Sequence, residues 1–271
     1  MISCSNYKRF FAAFVGLLLL SSCEEVIDLD LPGAEKKYVV EALLTNQAGG
    51  CKVLLSQTKD FDEDNSRITV SGAQVSIRSE DTTLILPESS PGTYTDASFH
   101  GAPGNTYYLT VQIGEETITS TSTMPSLVKM DRLSITREFF VDDYQNQPTI
   151  DYIDPEDEEN NYRFVLYVNG VKKHQLFVMN DELTNGNHNS TRLFVDEEDL
   201  DDEEKIKSGD IVRVEMQTID KAVYRYFFSL DNSATGENNA ATPANPVSNL
   251  QGNALGYFSA YTTQEKEVRV P

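Results

Sequence analysis

Three cysteines, three histidines and 43 acidic residues are the groups through which this chain could do chemistry. Cys51 lies in Cys51-Lys52-Val53-Leu54-Leu55, a β-rich run with no histidine nearby in sequence. A nucleophilic thiol needs a base or a lowered pKa, so Cys51 reads as a packed strand residue. His100, His174 and His188 are scattered, and none stands in a His-Glu-x-x-His arrangement. There is no Gly-x-Ser-x-Gly elbow, phosphate loop or dinucleotide fingerprint. The acidic run from Asp196 to Glu204 invites a calcium reading, because hard cations take carboxylate oxygens. A contiguous block cannot aim all its carboxylates at one ion, so it reads as a solvated loop, as do Asp60–Asp64 and Asp154–Glu159. A carboxylate pair for glycoside hydrolysis would be assembled in space, and the sequence does not single one out. No catalytic residue, metal ligand or cofactor site is assigned, and the expectation is a protein that is not an enzyme.

The remaining chemistry sits at the start. Lys8-Arg9 precedes an apolar run from Phe10 to Leu20, which ends in Leu20-Ser21-Ser22-Cys23. Two cations before a short apolar core and small residues is the layout of a secretory signal peptide. The run is too short to span a bilayer, which needs about 20 apolar residues. Leu-small-small-Cys resembles the bacterial lipobox, which implies cleavage before Cys23, a diacylglyceryl thioether on its sulfur and an acylated amino terminus. Residues 1–22 are thus expected to be a signal peptide, and 23–35 an acidic tether. With Cys4 removed and Cys23 lipidated, Cys51 has no disulfide partner.

The formal charge is −21, and losing Lys8 and Arg9 with no acid in 1–22 takes it to −23. That balance excludes nucleic acid, which would be repelled, and electrostatic adhesion to an anionic membrane. Attachment to a membrane would come from the lipid.

The elements needed to position anything are mostly strands. Residues 36–125 hold short β-rich runs at Tyr38–Leu44, Cys51–Ser56, Ala73–Arg78, Thr82–Leu86, Thr93–Thr95, Thr106–Ile113 and Thr117–Thr123. Their alternation and Gly/Pro turns predict an Ig-like, two-sheet β-sandwich. Residues 126–271 predict a second β-rich domain. It holds a long strand over Lys129–Val141, a break from Asp142 to Pro148, and a hairpin through Asn169-Gly170, where both residues tolerate positive φ. Leu193–Val195, Asp210–Met216, Leu255–Tyr261 and Val268–Val270 are further strand candidates. One short amphipathic helix is expected near 220–232, with Ala222, Tyr226, Phe227 and Leu230 on one side and Asp220 or Thr218 as its cap. The fold class is mainly β.

Two resemblances add to this. Pro91-Gly92-Thr93-Tyr94 and Pro103-Gly104-Asn105-Thr106-Tyr107-Tyr108-Leu109-Thr110-Val111 resemble transthyretin-like and collagen-adhesin B-type modules, which serve as stalks and binding platforms. The tail from Asn245 to Ala260, with Asn245, Pro246, Asn249, Gly252, Gly256 and Phe258, resembles the closing motif of one lipoprotein family. Gly209–Val214, Tyr224-Arg225-Tyr226 and the opening Ser22–Asp30 resemble its other segments. It is the domain of unknown function 4249 family of the Bacteroides–Flavobacterium group. The usual Gly-rich centre of its closing motif is here Gly252-Asn253-Ala254-Leu255-Gly256, a departure that weakens the case for a tight loop there. The resemblance implies a β-rich outer-membrane lipoprotein, often encoded beside a TonB-dependent receptor. Glu24-Glu25 resembles the acidic export signal of that group and implies the extracellular side, the alternative being a plain tether on the periplasmic side. Asp81-Thr82-Thr83 resembles its O-glycosylation motif, with Thr82 as acceptor.

The leading expectation is a surface-exposed lipoprotein that partners a TonB-dependent β-barrel receptor in nutrient uptake, as a lid, capture subunit or accessory for a small ligand not named by the sequence. The second is an independent adhesin or glycan- or peptide-binding module. The third is a hydrolase with a spatially assembled carboxylate pair. The thirteen tyrosines mostly read as packing, with Tyr144, Tyr152 and Tyr257 as candidates for a binding platform.

Overall fold

Alternating apolar residues build a set of short strands, seen in a computed structural model that describes residues 35–60, 66–140, 143–195, 205–235 and 245–271. In chain order these are β1 (Tyr38–Thr45), β2 (Cys51–Gln57), β3 (Ile68–Thr69), β4 (Gln74–Arg78), β5 (Thr83–Leu86) and β6 (Glu88–Ser90). β7 (Thr93–Asp96), β8 (Thr106–Ile113), β9 (Glu116–Thr123), β10 (Met130–Phe140), β11 (Asp143–Ile153) and β12 (Asn161–Val168) follow. β13 (Val171–Lys172), β14 (Phe177–Asn180), β15 (His188–Arg192), β16 (Ile211–Ile219), the helix α1 (Lys221–Thr235), β17 (Leu250–Gln251) and β18 (Ala254–Arg269) complete the order.

Among the described residues one ten-stranded sheet has the order β13-β12-β16-β18-β1-β2-β7-β6, with β14 beside β12 and β3 beside β2. A five-stranded sheet, β17-β9-β8-β4-β5, covers one part of it, and a three-stranded sheet, β10-β11-β15, covers another. The first core joins Val40, Ala42, Leu44, Val53, Leu55 and Phe258 of the long sheet to Val75, Ile77, Leu109, Val111 and Ile118 opposite. The second joins Phe164, Leu166, Val214 and Met216 to Met130, Leu133, Ile150 and Tyr152. On the other face of the long sheet, Val223 and Phe227 of α1 pack with Ile219, Tyr257 and Tyr261. The mainly β, Ig-like sandwich class expected from alternation is what the sheets form. Among the described residues no helix is long and apolar enough to cross a membrane.

β18 makes the two halves one sheet. Ala254–Tyr261 pair in parallel with β1, from Tyr38↔Ala254 to Thr45↔Tyr261. Thr262–Arg269 then pair antiparallel with β16, from Thr218↔Thr262 to Ile211↔Arg269. The expected boundary at residues 125 and 126 therefore does not assign the tail correctly: 250–261 build the first sandwich, with Phe258 and Ala260 in its core. The polar stretch Thr262–Glu267 is also strand, joining what alternation had divided into two.

Two other expectations change. The break from Asp142 to Pro148 is instead the start of β11, which pairs with β10 through Ile135↔Pro148. The Pro148 carbonyl accepts from Leu193 N–H at 2.8 Å, so its missing donor faces the β15 side just where that strand's pairing ends at Thr149↔Arg192. Proline is tolerated at such an unpaired edge. Leu193–Val195 are not strand; the strand there is β15, and Leu193 and Val195 are buried as core plugs.

Candidate functional site

Cys23, Glu24, Glu25 and the acidic run Asp196–Glu204 lie outside the described residues. Thr82 is exposed in the turn between β4 and β5, where its carbonyl accepts from Ser79 N–H at 2.8 Å. Cys51 is fully buried. Burial, then the charge of Asp96, push its thiol up to about 12, which removes the thiolate that nucleophilic work requires. Of the three tyrosines considered for a platform, Tyr144 is 55% exposed, whereas Tyr152 and Tyr257 are buried in different clusters. They do not converge. Among the described residues no three His, Cys, Asp or Glu are grouped to hold a metal ion.

The tail signature acts through the backbone. The parallel pairing with β1 uses one edge of β18 and leaves the other edge of its first half without a strand. Side chains fill that edge in place of a strand. Ser248 Oγ donates to Gly256 O at 2.6 Å. Asn249 takes both backbone groups of Phe258, donating from Nδ2 to its carbonyl at 2.7 Å and accepting its N–H at 3.0 Å. Ser122 Oγ accepts from Ala260 N–H at 2.9 Å. Buried backbone groups must be satisfied, and an uncovered edge invites pairing with another chain. Gly252 (φ +112) and Gly256 (φ +106) hold conformations that side chains rarely adopt, and a Cβ on Gly256 would sit 2.0 Å from Val40 O. Even with its departing centre, the motif bends the chain at Gly252-Asn253, the two residues between β17 and β18. Pro246 is half-buried and Asn245 exposed. Asn249, Gly252, Gly256 and Phe258 hold the fold together.

Chemistry for a ligand gathers instead at a groove of about 460 Å³ beside the start of α1. Glu156, Asp157, Glu158 and Glu159 of the turn before β12 form one wall, Asp181 and Glu182 after β14 another, and Lys221, Tyr224 and Arg225 the third. Helical spacing explains the third wall, because residues three and four apart share a face. α1 begins where it does because Asp220 caps it, accepting Val223 N–H at 2.9 Å. Burial raises the Asp220 carboxyl, partly offset by the hydrogen bond from Ser122. Burial, then Glu182, raise the Tyr224 phenol. Lys221 pairs with Glu159 across the groove. Both partners are more than half exposed, so this pair contributes little stability. The groove offers carboxylates for cations, two cations and a phenol.

Asp154 departs from the solvated-loop reading. It is 1% exposed, accepts from the Tyr162 hydroxyl, and accepts Gly186 N–H at 3.3 Å. Asp181, 3% exposed, accepts Asn160 N–H at 2.7 Å, and its carbonyl accepts from Thr184 and Asn185. Burial, then the charge of Asp181, hold the Asp154 carboxyl above its usual range against the Tyr162 bond. This carboxylate pair fastens two turns under the groove. Glu156–Glu159 are exposed, as expected.

The sequence pointed to none of the groove's basic or aromatic residues as one site. Glu159 and Lys221 are 62 positions apart, and the only local signal was the helix period that places Lys221, Tyr224 and Arg225 on one face.

A family model described as Domain of unknown function (DUF4249) matches residues 24–267. No curated protein matches the chain. Among solved structures, a two fibronectin type-III domain segment from chicken tenascin aligns with 87% of this chain and 100% of that chain, at 10% identity and a TM-score of 0.25.

Proposed function

The chain belongs to the DUF4249 family, a domain of unknown function, and from that premise we propose that it is a lipid-anchored outer-membrane protein that captures a small ligand for a TonB-dependent transporter. The observation that carries this reading is Cys23, which closes the lipobox-like Leu20-Ser21-Ser22-Cys23 directly ahead of the family match at residue 24. Glu24-Glu25 supports the extracellular side. The acidic groove beside α1 supports a ligand with a cationic group, since six carboxylates line it against two cations. The protein's own part is capture and hand-over, with no covalent step.

Two experiments test it. Cys23→Ala should move the chain from the outer-membrane fraction to the soluble one; a variant that still pellets with the membrane rules out the lipid anchor. Mild-detergent pull-down from native outer membranes should bring a β-barrel receptor, and its repeated absence would remove the transporter partnership. The phenol of Tyr224 and the amides of Asn161, Asn180 and Asn185, which also line the groove, favour a second reading, an independent glycan- or peptide-binding module. A glycan and peptide array probed with the protein decides between them: array binding without a co-purifying receptor favours the second.

A further inference from the structure

Cationic side chains gather on the outer face of the long sheet, in a chain with 43 acids against 22 lysines and arginines. A pocket of about 200 Å³ between β12 and the segment after β13 is lined by Arg163, Lys172, Lys173 and His174, with Val165 and Leu176 as apolar wall. Arg163 is held in place. Its guanidinium carbon lies 4.1 Å from the Phe227 ring centroid, and Nη1 donates to Gln217 Oε1 at 3.1 Å. Gln217 is itself buried, and its Nε2 donates to Glu215 at 2.8 Å, so its oxygen is kept toward the arginine. A guanidinium stacked on a ring and tied at one nitrogen keeps in-plane donors for a bidentate oxyanion.

Lys172 shares that face, because it pairs with Tyr167 and Tyr167 alternates with Arg163 on β12. Among the described residues, neither Arg163 nor Lys172 has a carboxylate at ion-pair distance. Glu215 and Glu41 attract Lys172 only at longer range, and Glu215 is engaged by Gln217 and Thr263. Lys172 is exposed on β13, yet partial burial first, and the charge of Arg163 as well, hold its ammonium below the usual range. Like charges held together with carboxylates only at longer range are unfavourable, and an anion between them removes that repulsion. We propose that this pocket is an oxyanion site that takes the phosphate or sulfate group of a small ligand, with Arg163 as bidentate donor and Lys172 as second cation. The site stands whether or not the chain partners a transporter.

Isothermal titration of the purified full-length chain in detergent, with inorganic phosphate and inorganic sulfate, tests it. Saturable one-site binding of either ion is expected, weakening as sodium chloride rises. Arg163→Gln should weaken it at least tenfold and Lys172→Gln several-fold. Lys129→Gln, whose exposed ammonium pairs with Asp131 away from the pocket, should leave it unchanged. Thermal melting of each variant runs in parallel; if Arg163→Gln melts early for want of its Phe227 contact, Lys172→Gln alone decides. Absence of saturable binding, binding indifferent to Lys172→Gln, or equal weakening by Lys129→Gln overturns the proposal. Phosphatidylglycerol vesicles compared with phosphatidylcholine vesicles separate the two sources of phosphate, since a lipid anchor enters both: a preference for phosphatidylglycerol without free-ion binding also overturns the pocket, whereas free-ion binding supports it whichever vesicle is preferred.

Discussion

Cys51 illustrates how position sets the chemistry of a reactive group. A thiol at about 12, raised by burial and Asp96, is almost entirely protonated at pH 8, so it neither attacks nor ligates. Native protein should therefore resist maleimide labelling for hours at pH 8 and label fully in urea; labelling of the folded chain within minutes would show that the strand opens. Asp154 makes a pH prediction. Its carboxyl is raised in the fold, so the folded state keeps a proton that the unfolded chain has released. Stability from this group is complete below the ordinary carboxyl pKa and is lost as pH rises through the raised value. Asp154→Asn cannot titrate but still accepts from Tyr162, so its melting temperature minus that of the parent should climb with pH across that window and then level off. An offset that stays constant from pH 3 to 8 would show that Asp154 is not the titrating group. A sequence shows Asp154 as one member of a charge run; only Tyr162 and Gly186, eight and 32 positions away, distinguish it from its neighbours.

At the scale of elements, strands with clean alternation were legible, as was the helix, because each signals its own period. β8 shows this: Tyr107, Leu109 and Val111 are buried on one face. What stayed hidden is what neighbouring elements supply. Pro148 looked like a break because its missing donor counts against a strand, yet it falls where β15 ends. Residues 262–267 of β18 fell between two strand candidates because all six are polar, so no apolar alternation marks them. The tail signature could be recognised as a pattern but not explained, since Asn249 acts nine positions away on Phe258. Its role is measurable. Asn249→Ala leaves the Phe258 N–H and C=O buried without partners and should cost about 2–4 kcal/mol in urea unfolding. Asn249→Asp keeps the acceptor and loses the donor, so it should fall between the two. A loss under about 0.5 kcal/mol for Asn249→Ala would mean that water or another group already satisfies the edge.

At the scale of the molecule, two sandwiches that would each have an edge to protect are merged through one strand. β18 leaves β1 after Tyr261 and joins β16 at Thr262 without a turn, so distortion of its first half is carried along one backbone into the second. Asn46 Oδ1 accepts Thr263 N–H at 2.9 Å just past the hand-over, and Thr262 Oγ1 donates to Ser126 O, which ties the crossing to both halves. Separate domains would lose stability independently; a shared strand predicts one cooperative transition. Gly256→Ala is the perturbation that separates these outcomes. A methyl there meets Val40 O at 2.0 Å in a backbone conformation foreign to alanine, so the β1–β18 pairing must shift, at about 3 kcal/mol or more. Hydrogen exchange should then speed up not only in β1 and β2 but also in β12 and β16, which never touch residue 256, and calorimetry should show a single transition at lower temperature. If β12 and β16 keep the parent's protection, or if two transitions separate, the halves are independent and β18 merely joins them. A single transition would also place the groove beside α1 and the cationic pocket under Phe227 in one cooperative unit, since both are built on β12 and α1.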